Sequence, residues 1–338
     1  MEKTLSYADA SSNATKISMR RDENVLVYGL GVDDPKGMYG TTLGLVEEFG
    51  SERCFDTPLS EDSMTGMGIG LAMSGYRPIH VHQRFDFLLL CMNQLINMAS
   101  KVKYLSNGNM NCPLVVRAII GRSWGQGAQH SQSFHSFFSS IPGLTVVAPV
   151  TPFDMYNTLL WSLKQNNPII FVEHRMLYKN KGIVYEEPGY IPGIRYLKRG
   201  SEITICSFLH SSIETNKALS GLPLLSADHI NINNLNNIDF NEIFKSVKKT
   251  NKLLVIDNGW IKSSIATHIV STLAILGFKG KIGIMGYENC PCPTPKIMEN
   301  SFYPTSQKIA KKICELVEID FNFKIQADFD IESFKGPF

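Results

Sequence analysis

Short apolar runs closed by glycine or a polar turn alternate along the chain with longer stretches whose apolar residues recur at helical spacing. Residues 24–29 read as a buried strand ending in glycine, and 41–49 as a helix with its apolar residues on one face. A strand at 53–56 leads into Glu61, and a helix over about 62–74 stops at Gly75. Residues 78–81 are extended, and a long apolar helix over about 84–103 follows. After Pro113, the run 114–119 has the β-branched character of a strand; strand 145–149, helix 152–165 and strand 168–173 complete the series. Strands alternating with helices predict a parallel sheet wrapped on both faces.

Residues 179–200 are enriched in Gly, Pro and charge, which marks a boundary, and a second alternating series begins at once. Its strands fall near 202–208, 229–234, 252–257 and 280–286, its helices near 212–220, 240–249, 262–277 and 305–317. The expected fold class is α/β: two doubly wound, mostly parallel-sheet domains over 1–185 and 201–318, with a linker at 186–200 and a tail at 319–338. The tail alternates apolar and polar residues, as an edge strand, an arm onto another subunit or a loose end would. No internal repeat or low-complexity tract is present.

On this frame Glu61 stands out. It follows a strand and precedes 64–72, a run with three glycines and no charge, so its carboxyl is expected to face apolar surroundings suited to sharing a proton. Gly29-Leu-Gly31 after a strand lacks the third glycine of a dinucleotide fingerprint, and Gly66-x-Gly68-x-Gly70 has the wrong spacing. No Gly-x-x-x-x-Gly-Lys-Ser/Thr occurs, which removes the usual nucleoside-triphosphatase reading. In 125–132, Gly-Gln-Gly-Ala-Gln-His-Ser-Gln, a mobile glycine backbone, amides and a hydroxyl surround His130, a setting for proton transfer at an open cleft. His80 and His82 share one strand face, as a substrate wall or a polar lining. Phe85 and Phe87 begin the long apolar helix, where aromatics are by default core. Asn93, Gln94 and Asn97 lie within it, and their amides need partners that another chain would supply.

Composition narrows the function. The 338 residues are 43% hydrophobic and 19% charged with a formal net charge of +2, so neither nucleic acid nor a membrane surface gets electrostatic support. No run approaches the about 18 apolar residues of a spanning helix, and a cytoplasmic location is expected. Seven cysteines, an odd number scattered without metal-ligand spacing, read as reduced thiols; Cys290-Pro-Cys292 reads as structural.

The segments Phe-Gly-Ser-Glu-Arg-Cys-Phe-Asp-Thr-Pro-Leu-Ser-Glu (49–61), Gly-Tyr-Arg-Pro-Ile (75–79), Phe-Asp-Phe (85–87), Asn-Gln-Leu-Ile-Asn-Met-Ala-Ser-Lys (93–101), Gly-Ala-Gln-His-Ser-Gln (127–132), Pro-Gly-Leu-Thr-Val-Val-Ala-Pro (142–149) and Asn-Asn-Pro (166–168) occur in order. With them the chain, over roughly 22–318, resembles the beta subunit of the thiamine-diphosphate-dependent decarboxylating component of 2-oxo-acid dehydrogenases, pyruvate dehydrogenase being the best-known case. The resemblance implies a transketolase-like pyrimidine-binding domain followed by a transketolase C-terminal domain. It also implies that Glu61 hydrogen-bonds N1′ of the cofactor's aminopyrimidine, that Phe87 stacks on that ring with Leu30 and Gln83 beside it, and that His130 lines the substrate pocket. A potassium ion would be held by backbone oxygens of Leu114, Ser162, Leu163, Gln165 and Asn167. The family's Gly-Asp-Gly motif, which holds the diphosphate through Mg²⁺, is absent from this chain. The resemblance therefore implies an alpha subunit that carries the motif, in an α₂β₂ assembly.

Two departures bear on the acceptor. Gly29-Leu-Gly-Val32 stands where the family has Gly-Glu-x-Val, and Asn231-Ile-Asn-Asn-Leu-Asn-Asn237 where it commonly has Asp-Leu-Arg, which puts docking to a dihydrolipoyl acyltransferase in question. The first expectation is decarboxylation of a 2-oxo acid with acyl transfer to a lipoyl group. The alternative is a two-subunit carboligase or ketol transferase that keeps the cofactor and changes the acceptor. A non-catalytic relative is a third reading, opposed by the joint presence of Glu61, Phe87 and His130.

Overall fold

A computed structural model of the chain describes residues 2–121 and 125–321. Most of the tail, and part of the loop before His130, lie outside the described residues. The chain divides into two compact units: Met1–Ile120, Phe137–Pro192 and Asn234–Asn236 make the first, and Gly121–Ser136, Gly193–Asn233 and Asn237–Phe338 the second.

The strands of the first unit are β1 (Lys3–Ser6), β2 (Val25–Gly29), β3 (Cys54–Phe55), β4 (Arg77–His82), β5 (Val115–Ile120), β6 (Thr145–Val147), β7 (Ile169–His174) and β8 (Lys181–Val184). Six of them form a sheet in the order β3-β2-β4-β5-β7-β6, parallel throughout. β1 and β8 make a separate antiparallel pair. β2, β5 and β7 are buried at every position, as the continuous apolar runs require of strands covered on both faces. The polar pair within them is matched: Arg117 on β5 donates to both Glu173 oxygens on β7, at 2.5 and 3.1 Å, and Tyr178 Oη donates to the same carboxylate.

The apolar spacing misses the helix Tyr7–Arg21. Its buried positions include Ser11, Ser12, Thr15 and Ser18, which no hydrophobic pattern marks. Thr15 and Ser18 escape the desolvation penalty because their hydroxyls donate to carbonyls one turn back, at 2.9 Å each. A reciprocal Ser6–Asp9 cap starts the helix. The expected helix 41–49 is confined to Leu45–Phe49, after Gly44 in the left-handed region. The long helix expected over 84–103 is instead a 3₁₀ run, Phe85–Cys91, a π-helical run, Asn93–Ala99, and an α turn, Val102–Leu105. Ser100 N–H reaches back five residues to Leu95 O, the wide turn that apolar periodicity does not distinguish from an α turn. Asn97 finds Asn93 Oδ1 at 2.9 Å within this run, whereas Gln94 Oε1 is buried without a partner among the described residues.

The second unit has β9 (Ile194–Lys198), β10 (Ile203–Ser207), β11 (Ala227–Ile232), β12 (Lys252–Trp260) and β13 (Lys281–Tyr287) in the order β13-β12-β10-β11-β9. β9 alone runs antiparallel, on the outside of β11. The helices His210–Ser220 and Ser306–Val317 pack over this sheet through Ala218, Leu219, Ile309, Ala310 and Ile313. Both units are α/β with mostly parallel sheets, as the alternating pattern predicts. Among the described residues no helix is long and apolar enough to cross a membrane.

Candidate active site

In the first unit β3, β2 and β4 are adjacent, and the residues singled out by sequence lie just beyond their C-terminal ends. That edge is where open parallel sheets bind ligands. β2 ends at Gly29 with φ of 145°, where a Cβ would stand 2.2 Å from Val81 O, so only glycine allows β4 this close. Gly31 N–H donates to Asp56 Oδ1 just after β3 at 2.7 Å, and the Gln83 amide donates to Leu30 O after β4 at 3.3 Å. Leu30 and Gln83 are thus brought together. Leu30 presents a half-buried apolar side chain where the family has a carboxylate.

Glu61 opens the helix Glu61–Met73, where a negative charge is favoured by the helix dipole. It is half-buried, and Asp62 and Ser63 beside it are exposed. This corrects the expected apolar enclosure: the inward positions are Thr65, Gly68, Ile69 and Ala72, so burial begins one turn after Glu61. The 3₁₀ run Phe85–Cys91 packs against this helix and separates its two aromatics. Phe85 is fully buried, edge-on to Phe138 at 5.5 Å, while Phe87 is half-buried. The chemistry of this donor set, a carboxylate, an aromatic ring and a peptide carbonyl, is of the kind an aminopyrimidine ring would need.

Beneath this edge lies a polar layer. His80 and His82 are buried, so they are an interior lining and not a substrate wall. His82 Nε2 is 3.2 Å from His80 Nδ1, which is 3.3 Å from Thr65 Oγ1. The His80 ring stacks on Tyr28 at 4.5 Å, and Tyr28 Oη donates to Met64 O at 3.0 Å. Burial lowers the His82 pKa to about 3; burial, then the neighbouring His82, pushes that of His80 well below its usual range. Both rings are neutral at pH 7.

His130 belongs to the second unit. From 130 to 135 exposure alternates: His130, Gln132 and Phe134 are half-buried, Ser131, Ser133 and His135 buried. The inward residues anchor the segment. Ser133 Oγ is 2.8 Å from His135 Nδ1, His135 Nε2 is 2.9 Å from Asp257 Oδ1, and Asp257 Oδ2 accepts the Ala266 N–H. Gly125 and Gly127, expected to give mobility, have φ of 73° and 69° and press against Thr294, where a Cβ would come within 2.7 Å at either position. They serve close approach in a conformation that disfavours side chains. A cavity of about 350 Å³ beside the segment is lined by Ala128, Gln132, Trp260, Asn289, Cys290 and Pro291. Cys292 is buried 3.5 Å from Tyr303 Oη, while Cys290 is exposed.

The expected backbone cation site is partly engaged. The Leu163 and Gln165 oxygens both accept from Arg77 Nη1, at 3.0 and 2.9 Å, and the Leu114 oxygen accepts the Ile169 N–H. A potassium ion would share the first two with a guanidinium. Among the described residues no group of three or more His, Cys, Asp or Glu could hold a metal. Asn231 and Asn233 are buried, with the Asn231 amide donating to Asn233 Oδ1 at 2.8 Å, while Asn236 and Asn237 of the same stretch are exposed.

Residues 3–181 match the family model described as "Transketolase, pyrimidine binding domain", and 194–309 the one described as "Transketolase, C-terminal domain". The chain is 35% identical to the acetoin:2,6-dichlorophenolindophenol oxidoreductase subunit beta of Bacillus subtilis (strain 168), over 94% of this chain and 98% of the relative. It is 32% identical to the pyruvate dehydrogenase E1 component subunit beta of Rickettsia bellii, over 92% and 98%. Identity is 34% to the 2-oxoisovalerate dehydrogenase subunit beta of Bacillus subtilis (strain 168), over 93% and 99%. A solved structure described as "Split gene transketolase, inactive beta4 tetramer" superposes with a TM-score of 0.75 at 14% identity, over 93% of this chain and 99% of that one, a likeness of fold.

Proposed function

This chain belongs to the beta-subunit family of thiamine-diphosphate-dependent 2-oxo-acid dehydrogenases, and on that premise we propose that it supplies the aminopyrimidine half of a site completed by an alpha subunit. The observation that carries the reading is the placement of Leu30, Glu61, Gln83 and Phe87 beyond the C-terminal ends of three adjacent parallel strands. When bound, thiamine diphosphate would supply the nucleophilic carbon and the electron sink that decarboxylation of a 2-oxo acid needs. Glu61 holds and returns a proton at N1′, Phe87 fixes the ring plane, Leu30 and Gln83 border it, and His130 faces the substrate. Mg²⁺ and the diphosphate fall to the alpha subunit's Gly-Asp-Gly motif in an α₂β₂ assembly, the acyl acceptor is the lipoyl group of an acyltransferase, and the location is cytoplasmic. Potassium, sharing carbonyls with Arg77, belongs to the same proposal. The proposed domain limits are 1–185 and 201–318, and the stretch between them, 186–200, contributes β9 to the second unit's sheet.

In the complex isolated through a tag on this chain, Glu61→Gln is expected to abolish C2 proton exchange, and near-normal exchange refutes its role. The chain alone is expected to bind thiamine diphosphate poorly; tight binding with turnover and no second polypeptide would overturn the split site. Leu30 favours a second reading, a two-subunit carboligase, because it withdraws a carboxylate from the edge. Assaying the complex with lipoyl and with aldehyde or sugar acceptors separates the two.

A further inference from the structure

We propose that Tyr28, Thr65, His80 and His82 form a positioning network that sets the geometry of the aminopyrimidine edge, an inference that rests on the reading of Glu61 and Phe87 above. Each member lies close along the chain to a different contact of that edge. Tyr28, on β2, is two residues before Leu30, Thr65 is one turn after Glu61, and His82 is adjacent to Gln83. The run that carries Phe87 packs against the helix that carries Thr65, and its Cys91 thiol donates to Phe87 O at 3.8 Å. Three elements that arrive from separate parts of the chain are therefore tied one layer below the residues they present.

The layer is built to a single arrangement. Tyr28 and Thr65 are fully buried, His80 2% and His82 4% exposed. A Cβ on Gly68 would stand 2.0 Å from Tyr28 Oη, so the helix is held to β2 at a separation only glycine permits. His80 Nδ1 lies within hydrogen-bond distance of both the Thr65 hydroxyl and His82 Nε2, and as an unprotonated nitrogen it takes one of the two as its donor, so the layer carries no charge. Burying two imidazoles on a strand whose neighbours Ile79 and Val81 are apolar costs free energy unless their partners are in place. A satisfied polar chain of this kind specifies one packing where an apolar layer tolerates several.

The test uses the complex isolated through a tag on this chain and compares Thr65→Val, which keeps the shape and removes the hydroxyl, with Thr65→Ser, His80→Phe and Glu61→Gln. Thiamine diphosphate affinity is measured by calorimetry, C2 proton exchange by NMR and folding by thermal melting. Displacing Glu61 from the ring slows exchange on the order of 10²-fold in Thr65→Val and His80→Phe and weakens cofactor affinity about tenfold, while Thr65→Ser restores both. Exchange and affinity at wild-type values in a folded Thr65→Val, or a lower melting temperature with both values unchanged, overturns the network. Loss of exchange in Glu61→Gln with wild-type behaviour in the network variants discards this inference alone. Normal exchange in Glu61→Gln discards the reading beneath it.

Discussion

Lowering the pH from 7 to 5 should destabilise the second unit through one residue, His229. Its ring is fully buried between Ser207 Oγ, 2.6 Å from Nε2, and Asn216 Oδ1, 2.8 Å from Nδ1, so the neutral form has a partner at both nitrogens. Burial lowers its pKa to about 3. An unfolded histidine titrates near 6.5, so between that value and about 3 the unfolded state binds a proton that the folded state refuses. The stabilisation is therefore complete above pH 6.5 and is lost as pH falls. Each unit within that window costs about 1.4 kcal/mol, and pH 5 lies about 1.5 units inside it, which gives about 2 kcal/mol. His82, depressed to the same degree, contributes about as much to the first unit, and His80 acts in the same direction. Guanidinium denaturation at pH 7, 6 and 5 measures the slope, and His229→Gln, which keeps a donor and an acceptor but cannot titrate, should reduce it by close to one proton. Equal slopes in wild type and His229→Gln would refute the assignment.

Four further outcomes are expected. Glu173→Gln leaves Arg117 buried without its charge partner and should cost about 3–5 kcal/mol by denaturant unfolding; a loss below 1 kcal/mol would mean that the interior admits water. Gly143→Ala should lower stability by about 1–3 kcal/mol, because φ is 95° and its Cβ would lie 2.1 Å from Ser100 O; an unchanged melting temperature refutes this. Arg77→Met removes charge-assisted bonds to Leu163 and Gln165 and should cost about 2–3 kcal/mol; partial rescue by potassium over sodium chloride supports the shared cation site, and equal melting in both salts opposes it. In the chain without its partner, Glu61→Gln should change stability by less than about 0.5 kcal/mol, since that side chain is half-exposed; a loss above 2 kcal/mol on melting would make Glu61 a structural residue.

The alternation of apolar runs revealed the strands because β2, β5, β7 and β10 are buried on both faces and carry little but apolar side chains. It failed where burial is polar. Thr15 and Ser18 enter the core by bonding within their own helix, which leaves no apolar stripe to read. It also could not separate α from 3₁₀ or π turns over 85–105, since all three place apolar residues at spacings near three to five. Gly125 and Gly127 look alike in sequence whether they confer mobility or close approach; their contact with Thr294, far along the chain, decides for approach.

The same limit explains the two features of the site that sequence misplaced. The apolar run 64–72 does form a buried helix face, but its inward positions begin at Thr65, and Glu61, one turn earlier, is only half-buried. Apolar neighbours in sequence therefore do not enclose the carboxyl in this chain. On the function proposed above, the cofactor ring and the alpha subunit complete that enclosure. His80 and His82 err in the opposite direction: two histidines on one strand face suggest a lining open to substrate, yet that face is turned under the helix carrying Glu61. β4 is buried on both faces up to His82, and the exposed position falls to Gln83, just past the strand's end. His80 and His82, buried and neutral, bear on such an edge through packing and hydrogen bonds alone.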